Sequence, residues 1–148
     1  MATSTGSNRG GANVLYVAVT DEHRVLRIDL REPSGDSTHA TAFVSDYVRN
    51  GVNAPADFTN PDNLALDKNG NLFIAEDTTN EQGMDIWVAV PGTNHLTAKE
   101  TVRFASLTDC TAEPSGIYFD KTGSVLFAHA LHRAGQDLSV AITRVKRD

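Results

Sequence analysis

The chain has little that would staple it, anchor it or draw it to nucleic acid. A single cysteine, Cys110, stands among 148 residues, so no internal disulfide can form. A lone thiol of this kind reads as a small packing residue. No apolar run reaches the length that crosses a membrane, so no membrane partner is expected. Basic residues are outnumbered, with 13 Lys and Arg against 19 Asp and Glu, and a net charge of −6 argues against a nucleic-acid binder. The same charge suits a site that gathers cations. Residues 1–11 are rich in Ser, Thr and Gly and lack the apolar stretch of a signal peptide. Residues 1–12 are therefore expected to be a flexible leader, and 13–148 a single domain. The default compartment is the cytoplasm; a chain cut from an exported parent would be periplasmic or extracellular. Nucleophile motifs are missing too: there is no Gly-x-Ser-x-Gly, no phosphate-cradling glycine loop and no His-Glu-x-x-His.

Helical periodicity is scarce, and strand signals fill the space. Three stretches echo one another: Asn13-Val-Leu-Tyr-Val-Ala-Val19, Asn71-Leu-Phe-Ile-Ala-Glu-Asp77 and Ser124-Val-Leu-Phe-Ala-His-Ala130. Leu15, Leu72 and Leu126 are separated by 57 and 54 residues. Each echo is an apolar strand flanked by turns. Asp67-Lys-Asn-Gly70 and Asp120-Lys-Thr-Gly123 recur before two of them, as tight hairpins in which Gly supplies positive φ and Asp bonds the backbone. Asp67-x-Asn69-x-Asn71 also resembles a fragment of a calcium loop, but position twelve is Thr78 and not glutamate, so the hairpin reading is preferred.

Aligning the turns gives a unit of four antiparallel strands, A to D, in roughly 50 residues, which describes a β-propeller blade. Strands are expected near 14–19, 24–29, 40–44, 63–67, 72–75, 85–90, 100–105, 116–119, 124–129 and 139–145. The first unit shows B, C and D, the second all four, and the third A, B and C. Residues 46–60 read as a polar loop, with room for one helical turn around Val48. The expectation is an all-β chain forming a partial propeller of about three blades, with the geometry of half a six-bladed ring. An arc leaves sheet edges that invite pairing, and a homodimer could complete the ring.

In an up-and-down blade the B–C and D–A loops share one face. Here they carry Thr20-Asp-Glu-His23, Glu76-Asp77, His129-Ala-Leu-His132, Asn60-Pro-Asp-Asn63 and Asp109-Cys-Thr-Ala-Glu-Pro-Ser115. Loops on a rigid scaffold are where function is expected. Oxygen-rich loops suit a hard cation such as calcium. The metal candidates are Glu76, Asp77, Glu113, Asp62, Asn63 and His132, with His129 a further histidine on that face. Their bland alternative is solvated loop acids and turn caps. His23, His39 and His95 read as surface residues.

Several of these segments are similar to a known family. Phe58-Thr-Asn-Pro-Asp-Asn-Leu-Ala-Leu-Asp67, Gly70-Asn-Leu-Phe-Ile-Ala-Glu-Asp77, Ile86-Trp-Val88 and Pro91-Gly92 resemble the C-terminal part of the PhoX-type alkaline phosphatases. Val102-Arg-Phe-Ala-Ser106, Ala112-Glu113, Ser115-Gly116 and Gly123-Ser-Val-Leu-Phe127 continue the likeness in order. The resemblance spans roughly residues 13 to 145. It implies a six-bladed propeller, phosphomonoesterase activity, and a cluster of calcium with iron on the channel axis. It matches Glu76, Asp77 and Glu113 to acidic positions near the metals, and Asn63 and His132 more weakly. The family's iron-ligating cysteine lies in an upstream segment absent from this chain, and Cys110 does not match its motif. The family's terminal His-Pro-Gly is here His132-Arg-Ala-Gly135.

Three functions are compatible with these residues. One is a metal-dependent phosphomonoester hydrolase that acts when a ring is assembled. The second is a non-catalytic calcium-binding or interaction module on the same scaffold. The third is a calcium-dependent lactonase or esterase-type propeller.

Overall fold

A computed structural model of the chain describes residues 2–3, 13–31, 41–77, 84–109, 111–132 and 135–143. The described residues form three antiparallel sheets joined in sequence. The first orders β1 (Ala2–Thr3), β2 (Asn13–Val19), β3 (Arg24–Arg31) and β4 (Thr41–Arg49). The second orders β5 (Pro61–Leu66), β6 (Leu72–Glu76), β7 (Asp85–Pro91) and β8 (Ala98–Ser106). The third orders β9 (Ala112–Phe119), β10 (Val125–His132) and β11 (Leu138–Thr143). Each sheet is a run of strands hydrogen-bonded to their neighbours in chain order, as in a propeller blade. Apart from one 3-10 turn, Thr20–Glu22, the described residues contain no helix. No helix among them is long and apolar enough to cross a membrane.

The hairpins between A and B strands form as their chemistry dictates. Asp67 accepts backbone N–H bonds from Asn69 (2.8 Å) and Asn71 (2.9 Å), and Gly70 takes φ 85°. Its other oxygen receives the Asn71 amide at 2.8 Å, so this carboxylate is committed to the turn. Asp120 repeats the arrangement with Ser124 (2.8 Å) and Val125 (3.0 Å), and Gly123 takes φ 65°. The Thr122 hydroxyl first, and then these backbone N–H groups, hold the Asp120 carboxyl down to about 2.

Alternation along the strands sorts the core into two layers. Leu64, Leu72, Ile74, Trp87 and Ala89 of the second blade pack against Val25, Tyr47 and Val48 of the first. Ala65, Phe73, Ala75 and Ile86, on the opposite face, pack against Ile117, Leu126 and Ala128 of the third. The middle blade is thus covered on both faces, and every residue of β6 is buried.

Two sequence expectations are corrected. The first blade was expected to lack its A strand; Ala2 and Thr3 pair with Tyr16 and Leu15 and supply a two-residue one. The remainder of residues 1–12 lies outside the described residues. Residues 46–60 were expected to be a loop with a helical turn around Val48. Instead β4 runs on to Arg49, and Tyr47 and Val48 are both fully buried. The register shifts opposite Val25 and Leu26, and such a bulge turns consecutive side chains to one face.

Candidate metal centre

Two β-bulges build the site. Pro61 pairs with Glu76 and Asn63 with Ala75, which leaves Asp62 as the extra residue on β5. Asp77 follows β6 directly, and its backbone N–H donates to the Asn60 carbonyl at 2.9 Å. A second bulge lies where β9 pairs with β10 between Phe127 and His129. There Gly116 takes φ 57°, and a Cβ on it would meet the His129 ring at 2.8 Å, so only glycine fits. The Gly116 N–H donates to Asn63 Oδ1 at 3.3 Å, which ties β9 to β5. Asn63 Nδ2 donates in turn to the Asp62 carboxylate. Asn63 therefore bridges two blades while steadying its acidic neighbour.

These constraints bring Asp62, Asp77 and Glu113 together from two blades, with one carboxylate oxygen of each within 4.8 Å of the others. Two ligands on opposite sides of a calcium ion lie about 4.8 Å apart, given calcium–oxygen distances near 2.4 Å. The three oxygens are thus spaced to reach one ion, and an all-carboxylate set suits a hard cation. Without a cation or proton, three carboxylates this close repel one another.

The sequence matches the family described as "Alkaline phosphatase PhoX" over residues 4–132. The chain belongs to the PhoX alkaline phosphatase family. This family is metal-dependent, and the match spans all three clustered acids. No curated protein and no solved structure matches the chain.

The other described residues singled out in this PhoX-family sequence make contacts of their own. Glu76 neighbours Asp77 but points the opposite way, as adjacent residues at a strand end do. It is 2% exposed, and its Oε1 accepts the Thr59 N–H at 2.7 Å. Burial pushes its carboxyl up to about 7, opposed by the Thr59 N–H and the nearby Trp87 indole N–H and assisted by Asp85. His129 sits on Gly116, bonds the Ser139 hydroxyl at 2.7 Å and stacks on Tyr118. His95 occupies an exposed left-handed position between β7 and β8. The His132 side chain, His39 and Cys110 lie outside the described residues. His23, read as a surface residue, instead accepts the Asn60 N–H at Nδ1, 3.1 Å away. Its position between a short loop and a strand in sequence gave no signal of this, because Asn60 is 37 residues distant.

Proposed function

We propose that this chain is the cation-holding arc of a PhoX-type phosphomonoesterase, with calcium bound by Asp62, Asp77 and Glu113. The observation that supports this most directly is the convergence of those three carboxylates from two blades. Glu76 is assigned a buried supporting role, Asn63 an orienting one, and His132 is kept as a further ligand candidate. When bound, calcium would polarise a phosphoryl oxygen and offset the charge that develops on it. The chain's own residues hold the carboxylates in place and tie the two blades that bear them. Three carboxylates leave coordination positions for substrate, water or further ligands.

The test is calorimetric titration with calcium chloride, with turnover of a chromogenic phosphomonoester and of a lactone measured in parallel. Calcium at about 100 times its dissociation constant should raise unfolding stability by about 2.7 kcal/mol. Asp77→Asn should remove that increment. Calcium binding without turnover would favour the non-catalytic module, and lactone turnover alone the esterase reading. No calcium effect on stability would sink every reading that needs calcium and leave only an interaction module without metal.

The paired surfaces also support a homodimer. Leu15, Val17, Leu26 and Ile28 occupy in the first blade the positions of Leu72, Ile74, Trp87 and Ala89 in the second, by strand register. Tyr118 and Phe127 occupy in the third blade the positions of Ala65 and Phe73. The two internal junctions join one such face to the other. The remaining pair is open: Tyr118 is 50% exposed and stacks on Phe127 at 5.0 Å. Two copies related by a two-fold axis would close both junctions. Sedimentation should give a dimer of the 15.9 kDa chain, and Phe127→Lys should make it monomeric. A monomer at every concentration would refute this assembly.

A further inference from the structure

The segment leading into β5 has an unusual backbone. Asn60 takes φ 42° although Pro61 follows it. A residue before proline is sterically pushed toward extended conformations, so this is a strained position. Such positions persist only where the surroundings over-determine them. Here they do. The Thr59 N–H is held by Glu76, the Asn60 carbonyl by the Asp77 N–H at 2.9 Å, and the Pro61 carbonyl by the Thr20 hydroxyl at 3.0 Å. The Asn60 N–H is held by the ring of His23. His23 is itself left-handed, at φ 49°, and is fastened by N–H donation to the Thr20 carbonyl and by the Asn50 N–H on its own carbonyl.

We infer that His23 is a positioning residue for the candidate metal centre, acting through Asn60 on both Asp62 and Asp77. This rests on the calcium reading above only for its functional consequence; the hydrogen-bond relay stands on its own geometry. The relay runs from His23 Nδ1 to the Asn60 N–H, and from the Asn60 carbonyl to the Asp77 N–H. Asn60 is two residues before Asp62, so one strained peptide sets the register of two of the three carboxylates. Nδ1 must be the unprotonated nitrogen to accept this bond. The first blade, which contributes no carboxylate to the cluster, thereby gains a part in the site.

Two variants separate acceptor from backbone strain. His23→Asn places an amide oxygen where Nδ1 stood and tolerates the left-handed conformation. His23→Gly frees the backbone and removes the acceptor. Amide exchange of Asn60 and Asp77 is measured by NMR in metal-free protein, beside calcium affinity and global stability. His23→Gly should speed exchange at both amides about tenfold, the equilibrium value of one lost hydrogen bond. Its calcium affinity should fall about as much, while His23→Asn stays close to the parent in both. Unchanged Asn60 and Asp77 exchange in His23→Gly would overturn the inference, as would equal effects in the two variants. A parent that binds no calcium while its exchange responds as described would overturn the calcium reading and leave the relay standing.

Discussion

Replacing Trp87 with alanine is expected to lower unfolding stability by about 3–5 kcal/mol, the range for emptying a large aromatic site. Trp87 is 1% exposed and is among the largest fully buried side chains. Its ring meets Phe58 edge-on at 5.7 Å and carries the Arg103 guanidinium at 4.8 Å on its face. Arg103 is half exposed and so contributes only about 0.5–1 kcal/mol through that contact. The cavity term dominates. Domains of this size are stable by about 5–15 kcal/mol, so the variant would be marginal. Trp87→Phe keeps most of the apolar volume and should lose well under half as much. Urea unfolding followed by far-UV circular dichroism measures both, since the chain has one tryptophan and the variants lose its fluorescence. Equal losses in the two variants would show that the indole N–H and not the packing volume matters.

Trp87 links the core to the candidate site. Phe58 is fully buried against it, and Phe58 begins the segment that carries Asn60, Pro61 and Asp62. The Phe58 carbonyl is held by the Asn50 side chain at 2.6 Å, so the segment is pinned by both packing and hydrogen bonds. Packing at the junction of the first two blades thus fixes the backbone that carries Asp62 and that accepts the Asp77 N–H at Asn60.

Much of the fold was legible because blades have a plain grammar. Strands with a period of two, closed by Asp-x-x-Gly turns, announce their ends and their pairing. The up-and-down connectivity also showed which connections share a face, and Asp62, Asp77 and Glu113 come from three of those segments, although the structure builds Asp62 into β5 and Glu113 into β9. What escaped was whatever broke the period. Tyr47 and Val48 turn inward together at a bulge, so their segment read as a loop. The Ala2–Thr3 strand is two residues long, too short for any periodicity. His23 contacts a residue distant in sequence, and a single chain carries no trace of that pairing. Glu76 and Asp77 looked like a pair because they are adjacent, although strand geometry places adjacent side chains on opposite sides.

That divergence has a measurable consequence. Glu76 has its folded-state carboxyl raised to about 7 from 4.5, first by burial. Between these values the folded chain keeps a proton that the unfolded chain has released. Stability from this group is therefore complete below about pH 4.5, falls as pH rises, and is lost above about pH 7. Full conversion of the shift gives about 3 kcal/mol, and about 2 kcal/mol after allowing for solvent near the strand end. Glu76→Gln keeps an oxygen for the Thr59 N–H and carries no charge at any pH. In chelator, it should match the parent near pH 4.5 and exceed it by about 2 kcal/mol at pH 8. The difference between two urea-unfolding series reports the exchange of Glu76 for a neutral side chain. Parallel series would mean that Glu76 is charged in the folded chain and that Thr59, Trp87 or a nearby cation compensates it. A diverging pair would mean that two adjacent glutamate and aspartate residues have separate work, one as a buried neutral support for the Thr59–Pro61 segment and the other as an outward-facing anion.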